Sequence, residues 1–127
     1  MSLPARKLMI VEDEAALREV YCMLFRANKF DVYEAANGQI ALDMMAETVP
    51  DIIVLDALMP VMGGIEFLRA AKLKQKYPGT CVLMLTNLSD AKTIELSQQL
   101  GAHRYMLKAS ASPADLIAAV NELRAAG

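Results

Sequence analysis

The chain has 127 residues, 55% of them hydrophobic and 22% charged, which is the length of one domain and a composition that excludes disorder and collagen-like repeats. Thirteen Lys and Arg stand against fifteen Asp and Glu, for a net charge of −2. That balance gives this chain no electrostatic reason to take nucleic acid or an anionic membrane as its main partner.

The longest apolar runs, such as Ile52-Ile53-Val54-Leu55, fall far short of the ~20 residues of a membrane span. No basic region followed by an apolar stretch opens the chain, so no signal peptide is expected. Cys22 and Cys81 lack C-x-x-C spacing and read as reduced thiols in or near the core, which fits a cytoplasmic location.

Short apolar runs alternate with helical patterns from end to end. Lys7-Leu8-Met9-Ile10-Val11 reads as the first strand, and Leu17, Val20, Tyr21 and Leu24 then recur at helical spacing. Asp31 to Ala35 reads as a second, edge-type strand. Asn37-Gly38 opens a helix through about Glu47 with Ala41, Leu42 and Met45 inward, and Pro50-Asp51 breaks it.

Ile52 to Leu55 reads as a central strand covered on both faces. After the loop Met59-Pro60-Val61-Met62-Gly63-Gly64, one helix is expected from Ile65 to about Lys76, ended by Tyr77-Pro78-Gly79. Thr80 to Leu85 is the fourth strand, and Asp90 to Leu100 the fourth helix, with Gly101 as its C′ residue. His103 to Leu107 is the fifth strand. Ser112-Pro113-Ala114-Asp115 opens the fifth helix, with Leu116, Ile117, Val120 and Leu123 inward.

Strict alternation with right-handed crossovers predicts an α/β fold: a single doubly wound, five-stranded parallel sheet, flavodoxin-like, of order 2-1-3-4-5 with five flanking helices. Ligands of such sheets bind beyond the carboxyl ends of the strands. Glu12, Asp13 and Glu14 follow the first strand, Asp56 the third and Lys108 the fifth, while Thr86 closes the fourth. The proposed order brings these distant residues to one rim.

Carboxylates gathered within ~4–6 Å raise one another's pKa unless a cation sits among them. An all-oxygen set with an open side suits Mg²⁺ or another divalent cation. A metal, the Lys108 ammonium and the Thr86 hydroxyl beside a carboxylate make a phosphoryl receptor. Asp56, between the acidic pair and the Thr/Lys side, is the expected nucleophile, and its attack on phosphorus yields an acyl phosphate.

On these residues the chain resembles the receiver domains of two-component response regulators, the chemotaxis-regulator-like family. The likeness runs from Arg6 to Arg124, so residues 6–124 are the expected domain, with 1–5 and 125–127 as tails or linker. It rests on Glu12-Asp13, on Asp56-Ala57-Leu58-Met59-Pro60 followed by Gly63-Gly64, on Leu85-Thr86, and on Tyr105-Met106-Leu107-Lys108. The resemblance implies that Asp56 is the phosphoacceptor and Lys108 the phosphate-binding lysine. It implies Asp13, Asp56 and the Leu58 backbone carbonyl as metal ligands, with Glu12 acting through water. Thr86 and Tyr105 resemble the switch pair.

The implied donor is a sensor histidine kinase or a phosphotransfer protein. The implied output is a change in the face built by the fourth helix, fifth strand and fifth helix, acting on an output domain, a partner protein or a second copy. Such a domain catalyses its own phosphorylation and dephosphorylation and is otherwise not an enzyme. No direct nucleic-acid or membrane contact is expected.

Two residues depart from the family's pattern. Ala109 follows Lys108 where a cis proline is usual, and because a cis bond before alanine costs ~2.5–4 kcal/mol, a trans bond and a reshaped loop are expected. Asn87 follows Thr86 where a small residue is common. Leu58 and Leu88, two positions after Asp56 and Thr86, are apolar where a polar side chain could position water, so slow loss of the phosphoryl group is expected.

Other readings fit less well. Aspartyl-phosphate phosphatases and phosphotransferases commonly carry a second Asp two residues after the nucleophile, where Leu58 stands here. A nucleotide or flavin protein would place a Gly-rich loop after the first strand, where Glu12-Asp13-Glu14 stands. The alternative of a receiver-like module with weakened switching, serving mainly for interaction or dimerisation, has no need of the acidic set and Lys108, but Asn87 and Ala109 keep it open. His103 reads as a solvated or capping side chain, and Lys72, Lys74 and Lys76 as cations at a helix C-terminus.

Overall fold

The computed structural model describes residues 4–123. Five parallel strands, β1 (Lys7–Val11), β2 (Asp31–Ala35), β3 (Ile52–Leu55), β4 (Cys81–Thr86) and β5 (Arg104–Leu107), pair in the order β2-β1-β3-β4-β5. The expected sheet is therefore the observed one, with β2 at an edge. The expected boundary at Arg124 and the tail residues 1–3 and 125–127 lie outside the described residues.

Alternation along each strand divides the core into two layers. Leu8 and Ile10 of β1, Ile52 and Val54 of β3, and Cys81, Leu83 and Leu85 of β4 face helices α1 (Ala15–Ala27) and α6 (Pro113–Glu122). Met9 and Val11, Ile53 and Leu55, and Val82 and Met84 face the other way, where they meet Ala41 and Met45 of α2 (Gly38–Thr48) and Phe67 and Leu68 of α3 (Gly64–Ala71). Every residue of β3 and β4 is buried, as parallel strands covered on both faces require.

The third predicted helix is two helices. Lys72 takes a left-handed backbone, φ 49°, ends α3 and begins the four-residue α4 (Leu73–Lys76). The break turns Leu73 into the core, a position a continuous helix would not give it. The fourth and fifth predicted helices are therefore α5 (Ala91–Gln99) and α6.

Val20 also corrects the expected pattern: it is exposed, whereas Tyr21, Cys22 and Phe25 are the buried residues of α1. α5 is the least anchored long helix, and Ser97 is its one buried residue.

The caps follow the sequence. Asn37 accepts from the Ile40 N–H, Asp90 from the Thr93 N–H, and Ser112 with Asp115 forms a complete capping box. His103 caps a strand: its Nδ1 accepts the Val82 N–H at 3.0 Å. Cys22 and Cys81 are buried and not joined in a disulfide. No described helix is long and apolar enough to cross a membrane.

Candidate functional site

Register builds the site. Val11 pairs with Leu55, so the next residues out, Glu12 and Asp56, emerge side by side at the carboxyl edge. Thr86 pairs with Leu107, so Asn87 and Lys108 emerge together on the other flank. The backbone is held past the strand ends: Glu12 N–H donates to the Ala35 carbonyl at 3.1 Å and Asp56 N–H to the Val11 carbonyl at 3.2 Å.

Lys108 joins the two flanks. Its Nζ donates to Glu12 Oε1 at 2.5 Å and to Asp56 Oδ2 at 2.6 Å. Glu12 is 3% exposed and Asp56 7%, so two carboxylates and one ammonium share a place with little water. Burial raises the Glu12 carboxyl above its ordinary 4.5, and the Lys108 bond and the Glu14 N–H only partly offset that. For Lys108, burial favours the neutral form, but the bonds to Asp56 and Glu12 outweigh it, so its pKa stands above 10.5.

Asp13 is exposed, and one carboxylate oxygen from each of Glu12, Asp13 and Asp56 lies within 4.8 Å of the others. Oxygen donors alone, two of them buried and one open to solvent, form the donor set of a hard divalent cation that keeps part of its water. The set fits Mg²⁺ by its chemistry.

The loop after Asp56 is held tightly. Leu58 N–H donates to Asp56 Oδ1 at 3.3 Å, which engages one carboxylate oxygen and leaves the Leu58 side chain outside, 64% exposed. Met62 N–H donates to the Pro60 carbonyl at 2.7 Å across Val61, whose φ is 68°. A β-branched residue in that region is strained. Gly64 closes the loop, because a Cβ there would stand 2.3 Å from the Asp56 carbonyl oxygen.

Thr86 is buried at the end of β4, and its hydroxyl accepts from the Leu88 N–H at 3.4 Å. Tyr105 is half-buried, and its hydroxyl donates to the Leu88 carbonyl at 2.6 Å. Leu88 thus links Thr86 and Tyr105. Burial, then the charges of Asp90 and Asp56, raise the Tyr105 phenol above 10.

Several participants are invisible to motif reading. The resemblance implies a role for Glu12 through water on a metal, and the structure shows it as a direct partner of Lys108. Arg18 Nη1 donates to the Glu12 carbonyl at 2.8 Å and Nε pairs with Glu34 at 3.2 Å, bracing the turn that carries the acids. Asn87 Oδ1 accepts the Ala109 N–H at 3.1 Å. The Lys108–Ala109 bond is trans, since no peptide bond among the described residues is cis.

Comparison with known proteins gives these positions a family. The family model of the response regulator receiver domain matches residues 8–121. The phosphate regulon transcriptional regulatory protein PhoB of Escherichia coli (strain K12) is 33% identical over 116 residues, 91% of this chain and 50% of the relative. The DNA-binding response regulator MtrA of Mycobacterium tuberculosis (strain CDC 1551 / Oshkosh) is 30% identical over 120 residues, 94% and 51% of the two chains. The chain thus spans about half the length of these curated relatives.

The structure of the Vibrio cholerae chemotaxis protein CheY4 superposes with a TM-score of 0.84 at 27% identity, covering 92% of this chain and 97% of that one. With the sheet order, the buried acidic rim and a family match over most of its length, the chain belongs to the receiver domains of two-component response regulators.

Proposed function

We propose that Asp56 accepts a phosphoryl group in a Mg²⁺-dependent reaction and that the acyl phosphate resets the surface of α5, β5 and α6. The observation that carries this reading is the buried junction of Lys108 with Asp56 and Glu12. It holds a fixed positive charge against the carboxylate best placed to react.

An Asp56 carboxylate oxygen forms a bond to phosphorus as the bond from phosphorus to the donor nitrogen of a phosphohistidine breaks. The imidazole leaves with the electron pair of that bond and takes up a proton. Lys108 holds a phosphoryl oxygen as charge develops on it. Asp13, Asp56 and the Leu58 carbonyl, with Glu12 through water, would hold a divalent cation, which would supply charge neutralisation to the transferring group. The donor is a sensor histidine kinase or a phosphotransfer protein.

The new phosphoryl oxygens offer acceptors to the Thr86 hydroxyl. When that hydroxyl turns to them, it leaves the Leu88 N–H, and the Leu88–Tyr105 bond loses its support. α5, anchored by a single buried residue, is the element that moves most readily. Partner affinity then follows from the different contacts of the two arrangements. The outputs are an output domain, a partner protein or a second copy.

Two of the relatives are named for transcriptional regulation or DNA binding, and this chain matches only half of their length. The expectation of no nucleic-acid contact therefore does not extend to the whole protein, for which DNA binding is a proposal. A cytoplasmic location without membrane contact is likewise part of this reading.

The test is incubation with acetyl phosphate, with and without Mg²⁺, on the wild type and Asp56→Asn, read by intact mass. One added phosphoryl group is expected only with Mg²⁺ and Asp56 together. No gain in the wild type overturns the assignment and leaves an interaction module without acceptor chemistry, and equal gain in Asp56→Asn overturns it by placing the acceptor on another residue.

A further inference from the structure

Asn87 and Ala109, the two departures from the family's usual residues, are the two ends of one hydrogen bond: the Ala109 N–H donates to Asn87 Oδ1 at 3.1 Å. Immediately before it, the Lys108 N–H donates to the Thr86 carbonyl at 3.0 Å. Consecutive donors thus meet consecutive acceptor residues. The β4–β5 ladder, whose last paired residues are Thr86 and Leu107, is carried two residues further, first by backbone and then by a side chain. A proline at 109 would have no N–H to give, and an alanine at 87 would have no oxygen to receive one.

Lys108 is the residue that needs this support. It follows β5, which among the described residues has no paired strand on its far side and no fully buried residue. Past it the chain is secured by two turn bonds to the Leu107 carbonyl, from Ser110 at 3.2 Å and Ala111 at 3.1 Å. From that backbone a long flexible stem has to deliver Nζ between Glu12 and Asp56. A lysine stem loses much rotamer freedom when held, so its root has to be fixed for its tip to stay in place.

We propose that Asn87 is a positioning residue. Its carboxamide oxygen clasps the Ala109 amide and fixes the 108–109 backbone, so that the Lys108 ammonium rests on Asp56. What Lys108 does there rests on the function proposed above. The clasp and its hold on the lysine do not.

NMR on the unphosphorylated protein reads the clasp at two places: amide hydrogen exchange at Ala109 and Lys108, and the order parameter of the Lys108 Cε methylene. Asn87→Leu keeps the size and removes the acceptor. It should release both amides and loosen the lysine stem, and Asn87→Asp, which keeps an oxygen there, should restore amide protection. Asn87 is exposed, so both variants should fold. Unchanged exchange or an unchanged stem in Asn87→Leu overturns the proposal.

A second readout is the initial rate of phosphorylation by acetyl phosphate at saturating Mg²⁺. Loss of one hydrogen bond of ordinary net worth corresponds to a slowing of about two- to tenfold in Asn87→Leu, with no further loss when Lys108→Ala is already present. A full additional loss in that background overturns the proposal, because Asn87 would then act by another route. A wild type that takes up no phosphoryl group overturns the proposed function alone, and the NMR result still decides the clasp.

Discussion

Glu12 and Lys108 stand 96 positions apart in the chain, yet Glu12 Oε1 and Lys108 Nζ meet at 2.5 Å over the end of the sheet. The same ammonium reaches Asp56, so one cation neutralises two buried carboxylates. Removing the cation and removing a carboxylate are therefore unequal perturbations.

Lys108→Met leaves Glu12 and Asp56 facing each other without compensation. The metal-free protein should lose about 3 kcal/mol of stability, as expected when one member of a buried ion pair is deleted, and Mg²⁺ should recover part of it. Asp56→Asn relieves the repulsion and leaves Glu12 paired with Lys108, so its effect should stay within about 1 kcal/mol. Urea denaturation of the two variants checks this, and equal losses would contradict the shared-cation geometry.

Burial, reinforced by the charge of Glu34, pushes the Cys22 thiol from 9.0 up to about 11. Between those pH values the unfolded chain has lost this proton and the folded one keeps it. The folded state then binds more protons, so stability falls as pH rises through the window. The contribution is whole below pH 9 and gone above about pH 11. The raised Lys108 pKa has the same sign but acts only above 10.5. The urea midpoint should drop from pH 9 upward, less steeply in Cys22→Ala, and an unchanged slope in that variant would contradict the assignment. At pH 8 neither Cys22 nor Cys81 should react with iodoacetamide until urea unfolds the chain.

Gly64→Ala would set a methyl carbon 2.3 Å from the Asp56 carbonyl oxygen. The obstacle is backbone at the end of a fully buried strand, so it cannot swing aside. The expected cost is about 2–3 kcal/mol, with slower phosphorylation of Asp56 as its backbone shifts. Gly79 has open space around it, and Gly79→Ala should leave both properties near wild type.

Leu58 and Leu88 have apolar side chains, and neither could orient a water against the acyl phosphate proposed on Asp56. The phosphorylated form should therefore be long-lived. Introducing polar groups with Leu58→Asn and Leu88→Glu should shorten its lifetime by roughly tenfold, a modest share of what general-base assistance supplies. Lifetimes followed by mass or NMR decide it, and an equal or longer lifetime in the double variant would remove the leucines from the account.

Much of this molecule is legible in its sequence because the signals are local. The strands expected at 7–11, 31–35 and 52–55 coincide with the observed ones to the residue. The Ser112 cap is read from its near neighbours. β/α alternation and crossover handedness leave few sheet orders, so the meeting of Glu12, Asp13, Asp56 and Lys108 at one rim could be anticipated.

What only the tertiary structure decided are choices among partners that proximity leaves open. Lys108 could have reached solvent, and it bridges Glu12 and Asp56 because burial leaves those carboxylates no other cation among the described contacts. The break at Lys72 arises because Leu73 gains a place in the core, a gain no helical period encodes. Val20 fits the apolar stripe of α1 by spacing, yet faces water because Tyr21, Cys22 and Phe25 fill the space above the sheet. Asn87 and Ala109 carry no motif, and their bond exists because the β4–β5 register sets their backbones side by side. Periodicity and capping are properties of neighbours along the chain, whereas ion pairs, helix breaks and clasps depend on distances that exist only after the sheet has formed.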